Sequence, residues 1–283
     1  MPQIAIVRTV ADLRAQVAAW KSDGQRVALV PTMGALHDGH LSLITLAKTK
    51  ADRVVASVFV KPTQFGPNED FDAYPRNEER DADLLAGAGC DLLFAPTVGE
   101  MYAPGFATTV NVTGVSEPLD GAARPGHFAG VATVVSKLLM QCGPDVAVFG
   151  EKDYQQLQVI KRVVADLNIP TQIVGAPTSR LEDGLARSSR NAYLSAAERE
   201  IAGRLNLALA DAVRRLQAGE SVERVEATGL AALERAGFQR IDYFEVRNAE
   251  DLSHPGPGPL NIPARVLAAA VIGKTRLIDN MAV

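Results

Sequence analysis

The chain has 283 residues, is 47% hydrophobic, and sets 29 Lys and Arg against 33 Asp and Glu for a formal net charge of −4. That is enough apolar material for one large domain or two unequal ones, and the mildly acidic balance without a basic block excludes a broad nucleic-acid footprint. Its two cysteines, Cys90 and Cys142, stand outside any C-x-x-C pattern, which argues against a disulfide framework or thiolate zinc site and for the reducing cytoplasm.

The N-terminal MPQIAIVRTVADLR lacks an apolar core of signal-peptide length, and the longest comparable run, Val266 to Ile272, is too short to span a bilayer, so no membrane role is expected. Short β-branched runs then alternate with amphipathic stretches: Val27 to Val30 and a helix from about Gly39, Val54 to Val60 and a helix from about Asn77, Val146 to Phe149 and a helix from Asp153. This rhythm predicts βαβ units and a parallel sheet, and continuous runs such as VVASVFV suit strands covered on both faces. After Gln172 to Val174 a polar, Gly-containing stretch from Thr178 to Asn191 precedes helices at about Ser195 to Ala218 and Ser221 to Ala236, then strands near Ile241 to Val246 and Arg265 to Ile272. The expected fold is therefore α/β: a parallel-sheet domain over residues 1–178 and a smaller α+β domain over 179–283, with HPGPGPLNIP at 254–263 a loop within the latter.

Three stretches fall where ligands sit in open parallel sheets, beyond the carboxyl ends of strands. PTMGALHDGH, Pro31 to His40, follows the strand VALV. Gly34 permits close backbone approach, Gly39 and His40 lie at a helix start that attracts phosphate, and His37 and His40 can act as imidazolium donors to a pyrophosphate leaving group. An ordinary polar turn and an H-x-x-H metal site remain the alternatives, the latter without a thiolate or third histidine nearby. In VAVFGEKDYQQL, Gly150 permits a turn, and Lys152 opposes the dipole of the following helix, so it calls for an anion. In DGLARSSRNAYLS, Ser188, Ser189 and Arg190 offer hydroxyl, backbone and guanidinium donors to phosphate, whereas Ser195 with Glu198 reads as a capping box.

The Pro- and Gly-rich stretch from Val58 to Asn77 reads as a long functional loop, in which Gln64 can both donate to and accept from a ligand bearing a carboxylate and a hydroxyl. Asp81 reads as a helix-surface carboxylate, with contact to a magnesium-bound phosphate as its functional alternative. His127 reads as a structural histidine at a helix entry, and Cys142 as buried and inert.

PTMGALHDGH, VFVKPTQFGPNEDFDAYPR, RPGHFAGVATVV, FGEKDYQQL and DGLARSSRNAYL stand in one order along nearly the whole chain, and with them the sequence closely resembles the pantothenate synthetase (pantoate–β-alanine ligase) family of the H-x-G-H nucleotidylyltransferase superfamily. The resemblance implies a Rossmann-like N-terminal domain, a smaller C-terminal lid and a homodimer. It implies that pantoate attacks Mg-ATP to give pantoyl adenylate and pyrophosphate, and that β-alanine then displaces AMP. On matching positions, Met33, Gly34, Ala35, Leu36, His37, Asp38, Gly39 and His40 would line ATP, with His40 as proton donor and His37 on the phosphates. Gly150, Glu151, Lys152 and Asp153 would hold the nucleotide, Lys152 touching phosphate; Gln64 and Gln156 would grip pantoate, Gln64 also meeting β-alanine; and Arg187 to Arg190 would close over the triphosphate. Three positions depart from the family pattern: Lys61 in place of Asn, Arg187 in place of Met, Leu or Lys, and Ser179 in place of an apolar residue whose backbone meets adenine.

Overall fold

The structure, a computed structural model, describes residues 3–59 and 77–283. In chain order its elements are β1 (Ala5–Val7), α1 (Val10–Ser22), β2 (Val27–Thr32), α2 (Asp38–Lys48), β3 (Arg53–Val58), α3 (Glu78–Gly87), β4 (Leu92–Phe94), α4 (Val98–Met101), α5 (Asp120–Ala123), α6 (His127–Cys142), β5 (Val146–Gly150), α7 (Tyr154–Asp166) and β6 (Gln172–Ala176). There follow α8 (Ala196–Ala202), α9 (Arg204–Gln217), α10 (Val222–Ala236), β7 (Arg240–Asn248), β8 (Ala264–Ile272) and β9 (Thr275–Ala282). The chain divides into two units: Met1–Val112, Arg124–Glu151 and Val159–Pro177 form the first, and Thr113–Ala123, Lys152–Gln158 and Thr178–Val283 the second.

The first unit is a six-stranded sheet in the order β1-β4-β3-β2-β5-β6, parallel at every pairing. Alternate residues explain its two covered faces. Ala28, Val30, Val54, Ala56, Val146 and Val148 pack with Leu43, Ile44 and Ala47 of α2 and Leu85 of α3. Val27, Leu29, Val55 and Ala147 point the other way and are equally buried, and there α1 and α6 cover the sheet with Leu13, Val131 and Leu138. Each valine, leucine or isoleucine fully removed from water in this way contributes about 1.5–3 kcal/mol before the entropy of ordering is counted, and each alanine less.

The second unit holds the antiparallel sheet β7-β8-β9. Val266, Ala268, Ala270 and Ile272 of β8 share a core with Leu205, Leu209 and Leu216 of α9 and Val225 and Leu233 of α10. The single helix expected over Ser195 to Ala218 is instead two, α8 and α9, parted at Gly203. A Cβ on Gly203 would stand 3.1 Å from Asp183 Oδ2, so the break sits where a carboxylate approaches the backbone. The helix expected from Asp153 opens instead with a 3₁₀ turn, Glu151–Asp153. Strands β1, β4 and β9 had no sequence counterpart; the first two are three residues long, too short to display a period. Ser195 and Glu198 do form the expected capping box.

Two outcomes follow from the packing. Gly229 sits inside α10, where alanine would ordinarily be the better helix former by about 1 kcal/mol. Its added Cβ would lie 2.1 Å from Cε1 of the buried Phe244 ring, so Gly229→Ala will destabilise the protein by about 1–3 kcal/mol in urea unfolding, the scale of overpacking. Burial pushes the Cys90 and Cys142 thiols up to about 12. The native protein at pH 8 will therefore leave a thiol-disulfide reagent such as DTNB essentially unreacted, and the unfolded protein will consume two equivalents.

Candidate active site

The parallel sheet changes direction at β2: β3 and β4 continue to one side, β5 and β6 to the other. Loops leaving the carboxyl ends of two such strands diverge, and in open α/β sheets ligands bind in the crevice they leave. The histidine stretch leaves β2, and Gly150 and Glu151 leave β5, its hydrogen-bonded neighbour. The first two sequence motifs thus emerge from adjacent strand ends.

Thr32 closes β2 by donating its hydroxyl to Ser57 O at 2.8 Å and accepting the Gly34 N–H at 3.2 Å. Gly34 and Ala35 then take φ of 81° and 52°, the left-handed region that glycine tolerates and alanine does not favour. Ala35 N–H donates to Asp81 Oδ2 and Leu36 N–H to Asp81 Oδ1, each at 2.9 Å. Asp81 is only 1% exposed, so the surface carboxylate expected of it is corrected: it is buried and serves backbone amides.

His37 is the N-cap of α2. Its Nδ1 accepts the Gly39 N–H at 3.1 Å, and His40 Nδ1 accepts the His37 N–H at 3.3 Å. The two imidazoles therefore fill the reciprocal places that Ser and Glu take in an ordinary capping box. Their centroids are 4.1 Å apart. A ring nitrogen that accepts a backbone N–H carries no proton, so this cap gives Nδ1 of each ring the acceptor role and leaves Nε2 to donate. In this arrangement the donor of each imidazole is its Nε2–H, since a proton on Nδ1 would set N–H against N–H in the cap. Met33, Asp38 and Gly39 belong to the same turn, with Asp38 exposed.

In the second unit, Lys152 Nζ lies 3.5 Å from Asp153 Oδ1, and its carbonyl accepts Asn280 Nδ2 at 2.9 Å. Arg187 N–H donates to Ser179 O at 2.9 Å, so the hairpin between them joins the two ends of the third motif. Ser188 caps the short 3₁₀ turn Ser189–Tyr193 through its hydroxyl, which accepts Arg190 N–H at 3.3 Å. Arg180, at the base of that hairpin, donates to both oxygens of Asp279, at 2.7 and 3.0 Å. Consecutive β9 residues thus tie down both elements: Asp279 holds the serine hairpin and Asn280 holds the backbone of Lys152.

Gln156 is half-buried on α7, while its neighbour Gln155 is buried, accepts Asp120 N–H and donates to Val115 O and Pro118 O. Arg276 and Tyr243 donate to Asp120 at 2.6 and 3.1 Å, and burial followed by the Asp120 charge pushes the Tyr243 phenol well up. His127 meets Arg124 Nη1 through Nε2 at 3.0 Å, in keeping with a structural histidine. Gln64 and Lys61 lie outside the described residues. Sequence reasoning missed Asp279 and Asn280, although a polar pair inside the apolar run RLIDNMA is itself a signal, because consecutive strand residues face opposite ways.

Residues 5–282 match the model of the pantoate–β-alanine ligase family. Pantothenate synthetase of Caulobacter vibrioides is 63% identical over 279 residues, 98% of each chain, and that of Paramagnetospirillum magneticum is 60% identical over 99% of this chain and 98% of its own. The crystal structure of pantothenate synthetase from Thermus thermophilus superposes with a TM-score of 0.92 at 48% identity, covering 98% of this chain and 99% of that one. Pantoate–β-alanine ligase from Francisella tularensis, solved in complex with β,γ ATP and β-alanine, is 35% identical with a TM-score of 0.78, covering 99% of this chain and 97% of that one. The chain belongs to the pantoate–β-alanine ligase family.

Proposed function

We propose that the chain condenses (R)-pantoate with β-alanine to give pantothenate, AMP and pyrophosphate, through a pantoyl adenylate, in coenzyme A precursor biosynthesis. Family membership supports the ligation, and the Francisella relative's complex with an ATP analogue and β-alanine supports ATP as substrate. The observation that carries the mechanism is the reciprocal histidine cap at the start of α2, beside the switch point of a parallel sheet.

In the first half-reaction a pantoate carboxylate oxygen bonds to the α-phosphorus while the bond to the bridging oxygen of pyrophosphate breaks. The roles proposed for the first unit are donors: the N–H groups at the start of α2 receive phosphate oxygens, and His40 Nε2–H, with His37 beside it, meets the charge growing on the leaving group. In the second unit Lys152 supplies a point charge to phosphate, Ser179 a backbone contact to adenine, and Arg187, Ser188, Ser189 and Arg190 forked and hydroxyl donors to the triphosphate. Gln64 and Gln156 bind pantoate. In the second half-reaction the β-alanine amine attacks the acyl carbon, its proton is lost, and AMP leaves; an acyl phosphate anhydride is activated enough that positioning suffices without a covalent nucleophile.

Mg²⁺ enters this reading as the companion of ATP. Asp81, the carboxylate expected to meet the ion, already gives one oxygen to each of two amides, so in this reading the ion is held chiefly by the phosphates of its substrate, as is common for Mg²⁺. Bound there, the ion would screen phosphate charge. We further assign the enzyme to the cytoplasm, on the two buried thiols, and to a homodimer, on the resemblance alone. No helix among the described residues is long and apolar enough to cross a membrane.

Pantoate-dependent exchange of pyrophosphate into ATP without β-alanine, followed by AMP release on its addition, tests the reading; exchange without pantoate, or ADP as product, contradicts it. His40→Ala and Lys152→Ala will each lower exchange by about 10²-fold or more, the scale of losing a preorganised donor. A loss below about threefold for both would remove these groups from the phosphates.

A further inference from the structure

We propose that Asp81 is a positioning residue for catalysis: its buried carboxylate sets the backbone from which His37 and His40 are presented. The proposal rests on the adenylate-forming role of those histidines given above. Asp81 is 1% exposed, and a carboxylate taken that far from water persists only where donors replace its hydration. Here the donors are the N–H groups of Ala35 and Leu36, one to each oxygen, both at 2.9 Å. Neither amide lies in a helix or strand, so the side chain supplies the acceptor that secondary structure would otherwise provide.

The placement matters because the backbone there is unfavourable on its own. Ala35 holds φ at 52° directly after Gly34 at 81°, and the charge-assisted pair of hydrogen bonds offsets that cost. Leu36 is buried to 1% exposure and its carbonyl accepts Arg80 Nη1 at 3.3 Å, so adjacent residues of α3 grip the Leu36 amide and carbonyl. The next residue is His37, whose N–H and Nδ1 both belong to the reciprocal cap. Moving the Leu36 peptide therefore moves the cap, and with it both Nε2 donors. The approach is close: a Cβ on Gly34 would lie 2.9 Å from Asp81 Oδ2 and 3.1 Å from Val58 Cγ1. Asparagine matches the shape of Asp81 but has one acceptor oxygen, leaving one of the two amides facing an N–H donor.

The test compares wild-type full-length enzyme with Asp81→Asn and Gly34→Ala in pantoate-dependent pyrophosphate exchange at varied Mg²⁺, alongside NMR of the histidine ring protons without substrates. Asp81→Asn is expected to lower kcat about 10- to 100-fold, the scale of a small misplacement of catalytic groups, with KM for pantoate and the half-saturating Mg²⁺ within about threefold. Its His37 and His40 resonances will shift while His254 stays in place. If Asp81→Asn does not fold, Gly34→Ala, which crowds the same carboxylate, is read by the same criteria. Unchanged kcat and unchanged His37 and His40 signals would overturn the proposal. So would a raised Mg²⁺ requirement with activity restored by excess Mg²⁺, which would make Asp81 a metal contact. A wild-type enzyme without pantoate-dependent exchange would instead defeat the ligase reading, and the ring signals would still report on the Asp81 clamp.

Discussion

Two ring nitrogens carry the arrangement on which the turn after β2 depends: His37 Nδ1 accepts the Gly39 N–H, and His40 Nδ1 accepts the N–H of His37. A helix start leaves amides unsatisfied, and serine with glutamate would satisfy them as well. Imidazoles add a second donor or acceptor on the far side of the same ring. Committing Nδ1 to the backbone decides where the remaining proton sits, so folding selects the tautomer that the proposed donor role requires. Structure and chemistry are thereby coupled through one hydrogen bond per ring, and the turn before the cap, pinned by Asp81, fixes where that bond forms.

The second unit solves a similar problem with a strand in place of a turn. Lys152 and the serine hairpin are separated by more than twenty residues, yet Asp279 and Asn280, side by side on β9, hold the hairpin base and the lysine carbonyl. Asp279 and Asn280 are 2% and 3% exposed, so these contacts are shielded from competing water and define positions sharply. Gln155 and the Asp120, Tyr243 and Arg276 cluster do the same for the stretch around Asp120, which is far from the rest of this unit in the chain.

The legibility of the fold follows from this division. Long apolar runs such as VALV and RVVASV announced buried parallel strands because burial on both faces leaves its mark residue by residue. The motifs at the strand ends were legible because glycine, histidine and serine in those contexts solve local backbone problems. The reciprocal histidine cap was not read, because its partners are imidazoles where hydroxyls and carboxylates are the familiar signal. Asp81, Asp279 and Asn280 were missed as braces for another reason: each acts on backbone or side chains distant in sequence, and one carboxylate among the four of EERDADLL gives no sign that it turns inward, while the polar pair in RLIDNMA marks burial without naming its partners.

The central claim, that the cap fixes the proton of both histidines on Nε2, is tested most directly by long-range ¹H–¹⁵N correlation of the His37 and His40 rings in the ligand-free protein at neutral pH. The account predicts an unprotonated Nδ1 and a protonated Nε2 in both rings. A proton found on Nδ1 of either ring, alone or in the imidazolium form, would contradict it.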